Sequence, residues 1–122
     1  MSTVILESGV YTPTTSNLVN VDSVTPYEFQ YLRVGDTVNV SGLISIDPTT
    51  ATTGTSVQIN LPVASNVGSV GDVIGVGTYI GVSTMNTSQI VGVTANDTAK
   101  IGFVSLGTGA ETHSVVFTYQ VI

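Results

Sequence analysis

Pro26-Tyr27-Glu28-Phe29-Gln30-Tyr31-Leu32-Arg33-Val34-Gly35-Asp36-Thr37-Val38-Asn39-Val40-Ser41-Gly42-Leu43-Ile44-Ser45-Ile46 is the stretch that decides the fold. In its first half, Tyr27, Phe29, Tyr31 and Arg33 share one face, and Glu28, Gln30, Leu32 and Val34 share the other. In its second half, Val38, Val40, Ile44 and Ile46 alternate with Thr37, Asn39, Ser41 and Ser45, with Gly42 in phase. A repeat of two residues is the side-chain period of a β-strand, so this is two strands, the second with one buried and one polar face. Gly35-Asp36 joins them. Glycine first in a two-residue loop supplies the positive φ of a type II′ hairpin turn.

The same grammar extends outward in both directions. Val57, Ile59 and Leu61 form another alternating run, ended by Pro62. Asp72 to Val82 is apolar and rich in glycine, the pattern of a bent or closely packed strand. Gln89 to Ala95 and Ala99 to Leu106 flank Asn96-Asp97, a second hairpin turn. His113 to Ile122 places Val115, Phe117, Tyr119 and Val121 on one face. Helix formers are scarce and Val, Ile, Thr and Tyr dominate, so no segment reads as a helix. About eight short strands in 122 residues predict a single all-β domain, an antiparallel β-sandwich of jelly-roll type. Asp47 to Thr55 is the one long polar loop.

Composition excludes several classes of function. Only 8% of the residues are charged, against roughly 25% in ordinary soluble domains. The polar surface must therefore be mostly Ser, Thr, Asn and Gln, a surface that can be buried against other subunits without stranding charges. The net charge is −6, and Arg33 and Lys100 are the only basic residues. Nucleic acid and anionic membranes both require clustered Lys and Arg, so neither is an expected partner. There is no cysteine, which removes disulfides and thiolate metal sites. No apolar run approaches the ~18 residues of a membrane-crossing helix. The segment Met1 to Glu7 lacks the basic start of a signal peptide, so exit from a cell would be by lysis.

Residues with chemical potential do not converge in the sequence. His113 is the only histidine, and no nucleophile-elbow pattern accompanies it, so it reads as a strand-edge or interface residue. Glu7, Glu28 and Glu111 are scattered. Asp22, Asp36, Asp47, Asp72 and Asp97 mostly stand beside turn residues, where aspartate bonds its own backbone. A glycosidase would need a pair of carboxylates and an aromatic-lined groove, and the chain has no tryptophan. No loop has the oxygen spacing of a dedicated calcium site. Gly75-Val76-Gly77-Thr78-Tyr79-Ile80-Gly81 has GxGxxxG spacing with no helix after it, so its glycines are read as close packing between strands. Asn39, Asn86 and Asn96 begin chance glycosylation sequons. The stripe Tyr27, Phe29, Tyr31 and Arg33 is read as core or subunit interface, with sugar stacking as the alternative; Tyr11 and Tyr79 are further aromatics that a sugar site could use. The expected catalytic, cofactor-binding and metal-binding sets are therefore all empty.

Several segments resemble one family when taken together. They are Gly9-Val10-Tyr11-Thr12-Pro13-Thr14, Tyr31 to Gly42, Ile46-Asp47-Pro48-Thr49, Leu61 to Asn66, Ala95 to Lys100, and Phe117-Thr118-Tyr119-Gln120-Val121-Ile122. They are similar to a module of bacteriophage virion proteins, typically the C-terminal end of tail fibres and related surface proteins. The resemblance spans most of the chain from Gly9 onward. It implies a β-sandwich head, usually a homotrimer, on the virion surface and made in the host cytoplasm, with no catalytic residues. Only eight residues precede Gly9, whereas in fibres a shaft or attachment domain does. Residues 1–8 are accordingly expected to form an N-terminal arm, with Ser2 to Leu6 docked on a neighbour, and residues 9–122 the single domain. The expectation is a non-enzymatic capsid-decoration or head-fibre protein in contact with capsid or tail proteins. The alternative is a tail-fibre-type adhesin that binds host glycan or protein through Asp47 to Thr55, Val82 to Ser88 and Gly107 to Thr112.

Overall fold

The computed structural model describes residues 4–81 and 85–122. Ten strands account for most of them: β1 (Leu6–Tyr11), β2 (Thr15–Val19), β3 (Val21–Pro26), β4 (Phe29–Val34), β5 (Thr37–Pro48), β6 (Gly54–Asn60), β7 (Val73–Tyr79), β8 (Thr87–Val93), β9 (Thr98–Val104) and β10 (Glu111–Gln120). The only helical turn among the described residues is a 3-10 turn at Val70–Asp72. No helix there is long and apolar enough to cross a membrane.

The hairpin read from the sequence is present. Val34 faces Thr37 across the turn; Gly35 takes φ +61° while Asp36 stays outside the positive-φ region, the II′ pattern. The second hairpin is present as well, with Val93 opposite Thr98 and Asp97 left-handed at φ 55°. Every pairing is antiparallel, and the strands follow one continuous path, β1-β4-β5-β10-β7-β8-β9-β6-β2, with β3 attached to the far half of β5. The sequence pattern suggested two sheets and about eight strands. Instead hydrogen bonding passes without a break through one ten-stranded sheet, curled into a half-barrel.

The curl has a local cause. At Gly75 an added Cβ would strike the Val116 carbonyl and the Phe117 Cβ, and at Gly42 it would enter the Phe29 ring. Gly42 makes room for the Phe29 ring on the inner face and Gly75 lets β7 approach β10 closely, so the sheet can wrap around its core. Phe29, Val38, Val40, Ile44, Ile46, Val57, Ile59, Ile90, Ile101, Val115 and Phe117 fill that concave side. Burying one such side chain is worth about 1.5–3 kcal/mol.

The mouth of the half-barrel is strapped by the segments whose strands the sequence did not announce. β1 ends on the β4 side, and the chain then crosses to β2 on β6; Tyr11 Oη donates to the Asn60 carbonyl at 3.1 Å and Asn60 N–H to the Thr14 carbonyl at 3.3 Å. From β2 the chain returns to β3 on β5 through Asn20, which sits left-handed at φ 57°. The Asn20 side chain donates to the Thr50 carbonyl (2.9 Å) and to Thr55 Oγ1 (2.8 Å), and accepts the Thr50 N–H (2.9 Å). The long polar loop is thereby reduced: β5 runs on to Pro48, β6 starts at Gly54, and the residues between are tied to Asn20 and Ser105. The 8/9 boundary falls inside β1, so Leu6, Glu7 and Ser8 pair with Val34, Arg33 and Leu32 of the same chain. Residues 1–3 of the expected arm lie outside the described residues.

Candidate interaction surface

The inner face of the sheet is committed to the core, so the residues of opposite phase face out. Register places them in rows across five strands. One row runs Leu6, Val34, Thr37, Gln120; the next Ser8, Leu32, Asn39, Thr118, Ile74; the third Val10, Gln30, Ser41, Val116, Val76. Aliphatic groups stand well clear of the surface here: Leu6 is 74% exposed, Val76 70% and Ile74 67%. None of these side chains is ionisable. Ser8, Gln30, Leu32, Asn39, Ser41 and Val116 line an open depression of about 420 Å³ in the middle of the face.

The charge of the molecule lies elsewhere. Asp36, Asp72 and Asp97 sit at turns, and Asp22 and Asp47 at the far end of β3 and β5. Glu7 and Arg33 point to the inner side, where Glu7 accepts a hydrogen bond from Tyr31 Oη (3.2 Å), and Arg33 donates to the Gly35 carbonyl (2.8 Å) with Asp36 3.7 Å away. This sheet face, free of charge and made in equal parts of aliphatic and neutral polar side chains, is the candidate interaction surface of a chain of net charge −6.

The structure scatters most of the residues singled out by chemistry and joins one pair. Asp72 accepts the Gly68 and Ser69 N–H groups at 2.8 and 3.0 Å, and these bonds hold its carboxyl below the usual carboxylate range. Asp97 accepts the Val67 N–H and Asp22 the Thr49 hydroxyl. Asp72 has the local turn role expected of aspartate, whereas Asp97 and Asp22 instead tie together segments distant in the chain. His113, however, is neither at an edge nor at a surface. It lies fully buried on β10, the strand between β5 and β7, because its phase on that strand is the phase of Val115 and Phe117. Its ring is 4.4 Å from the Phe103 ring and 5.9 Å from that of Tyr79, and Nε2 is 3.4 Å from Glu111 Oε1. Glu111 is buried too; it accepts hydrogen bonds from Asn86 Nδ2 (3.0 Å) and Leu106 N–H (3.0 Å). Burial pushes the His113 pKa down, against the opposing pull of Glu111. Among the described residues, His113 Nδ1 and Ser88 Oγ have no hydrogen-bond partner. This largely buried cluster ties β10 to its neighbours, with the half-buried Tyr79 and Asn86 at its outer margin.

The aromatic stripe divides: Phe29 is core, Tyr31 half-buried, and Tyr27 exposed. The glycines of β7 have the packing role expected of them. The sequon residue Asn39 accepts the Thr118 hydroxyl (2.6 Å), while Asn86 and Asn96 donate to Glu111 and Gln58. Of the three loops named for an adhesin, residues 82–84 lie outside the described residues. Among the described residues, no group of three His, Cys, Asp or Glu gathers as a metal site would require.

Comparison with protein-family models, curated proteins and solved structures finds no match to this chain.

The outward face was not singled out in the sequence, although its signal is there. Leu32 and Val34 are apolar on the phase opposite Phe29 and Tyr31, and Val116 stands opposite Val115 and Phe117. A strand apolar on both phases needs cover on both faces.

Proposed function

We propose that this protein is a non-enzymatic structural component of a bacteriophage virion surface, a homotrimeric capsid-decoration or head-fibre protein. The observation that carries the reading is the uncharged outer face of β1, β4, β5, β10 and β7, in which aliphatic and neutral polar side chains are mixed and which suits repeated contact between protein subunits. Such a face suits a subunit packed at high copy number, because it can be dried without a desolvation penalty for charge. The motif resemblance supplies the virion setting. We read the half-barrel as a jelly-roll-like sandwich whose two walls, β1-β4-β5-β10 and β8-β9-β6-β2, remain joined through β7. Their side chains merge in one core cluster, and Tyr11 bonds Asn60 across the mouth, which supports that reading.

Gold-labelled antibody against the chain, viewed on intact particles by electron microscopy, tests the assignment. Label over the whole head is the expected result. Label confined to the tail end would replace decoration with receptor binding, and unlabelled particles would remove the virion reading altogether.

A further inference from the structure

β1, β2 and β3 each pair on one side only, so each presents an open edge among the described residues. Unpaired edges invite strand addition, and proteins blunt them with bulges, proline or charge. Two of these edges are blunted. β2 loses register between Ser16 and Val19, with Asn17 left-handed at φ 48°, and β3 shifts register between Val21 and Ser23 and ends in Pro26. β1 has neither a bulge nor a proline, and its one charged residue, Glu7, points to the inner side and is held there by Tyr31 Oη. The six residues of β1 pair with β4 without a shift, and none is a lysine.

The free side of β1 can be specified atom by atom. Ile5 accepts the Gly35 N–H, which turns the backbone groups of the odd-numbered residues towards β4. Leu6, Ser8 and Val10 therefore direct their N–H and C=O groups to the open edge. Their side chains belong to the uncharged outer face.

We propose that this edge pairs with the β1 edge of a second copy, antiparallel about a two-fold axis through Ser8, to form one sheet across two subunits. The sequence of β1 is complementary to itself in that register. Leu6 lies opposite Val10 of the second copy, Ser8 opposite Ser8, and Glu7 opposite Gly9. Apolar meets apolar on the outer face. On the inner face each Glu7, already bonded to Tyr31 Oη of its own chain, faces Gly9, over which the Tyr31 ring lies, so no like charge is met; the register two residues away, which would set Glu7 against Glu7, is disfavoured. The pairing is independent of where on a particle the protein sits. With no three-fold contact it gives a dimer, and with one it joins two trimers into a hexamer.

Cysteine cross-linking of the full chain tests the register, since the chain has no cysteine of its own. Facing Cα atoms in a hydrogen-bonded antiparallel pair are about 5.5 Å apart, within disulfide reach. Under mild oxidation Ser8→Cys is expected to give a covalent dimer, Leu6→Cys alone none, and Leu6→Cys with Val10→Cys a dimer again. Ser8→Pro deletes an edge-facing N–H that β4 does not use, so by sedimentation velocity at micromolar concentration it is expected to halve the particle mass while far-ultraviolet circular dichroism stays that of the wild type. A folded Ser8→Cys protein that does not cross-link, or Leu6→Cys linking to itself, overturns the proposal. Folded trimers that never double in mass refute the edge pairing and leave the virion reading standing; dimers without any three-fold species do the reverse for the trimer.

Discussion

Asn20→Ala removes the node that straps the mouth of the half-barrel, and its cost can be built from the structure. The side chain makes two hydrogen bonds at exposed positions, with the Thr50 carbonyl and the Thr50 N–H, and one part-buried bond with Thr55 Oγ1. Counting about 0.5 kcal/mol for each exposed bond and about 1 for the part-buried one gives about 2 kcal/mol. Asn20 also holds φ 57°, where alanine adds a left-handed penalty of about 1 kcal/mol that asparagine largely avoids. Asn20→Ala should therefore lose about 3 kcal/mol, and Asn20→Gly, which loses the bonds but tolerates the backbone, about 2. Asn20→Asp keeps the acceptor for Thr50 N–H, loses both donors, and sets a carboxylate against the Thr50 carbonyl, so it should fall near the glycine variant. Equilibrium urea unfolding of the four proteins, analysed with a common slope, measures these differences. If alanine and glycine variants both match the wild type, the crossing at Asn20 does not hold the two ends of the sheet together and the strapping argument fails.

Other substitutions test other parts of the structure. Gly75→Ala places a methyl group against the Val116 carbonyl and should cost about 3 kcal/mol, whereas Gly35→Ala, with nothing within 4 Å of its Cβ but φ +61°, should cost about 1; thermal melts that reverse this order would refute the packing account of the curl. Burial lowers the pKa of His113 below its ordinary 6.5, so the unfolded chain takes up a proton first as pH falls. Stability is full above about pH 6.5 and should decline below it until the folded-state pKa is passed; melting temperatures from pH 7 to 5 should show a slope that His113→Gln flattens. Tyr119 hydrogen-bonds Val63, and burial raises its pKa to about 12. Stability present below pH 10 should be lost as pH rises towards 12, and an alkaline titration in which Tyr119→Phe behaves as the wild type would count against this.

The parts of the fold legible in the sequence are those where one strand face is buried and one is wet. The β4–β5 hairpin, β6, β9 and β10 alternate cleanly because one phase is buried or half-buried and the other mostly exposed. β2 and β3 were invisible because Thr15–Pro26 is mostly exposed on both phases, and its order comes from Asn20, Asn60 and Thr49 bonding at long range. Alternation cannot say which strand lies beside which, so the continuity of the sheet through β7 had no signal beyond its glycines. His113 looked peripheral because histidine usually is; only its phase with Val115 and Phe117 pointed inward. The outer face was hidden for a related reason. Ser, Asn and Gln between Leu32, Val116 and Val76 read as ordinary polar spacing until register sets them side by side.

β10 is the last strand in chain order and a middle strand in space, lying between β5 and β7. Chain order and spatial order are therefore opposed. While a ribosome is still short of Glu111, β5 and β7 have no bridge between them, and the two walls exist as separate fragments with bare inner edges and an unfilled core. Folding has to wait for release of the C-terminal segment, and a chain that stops before Glu111 is expected to show no cooperative unfolding transition. This leaves a window in which nascent copies expose matching edges to each other. The timing of synthesis, as much as the finished interface, then determines whether the product is an assembly or an aggregate.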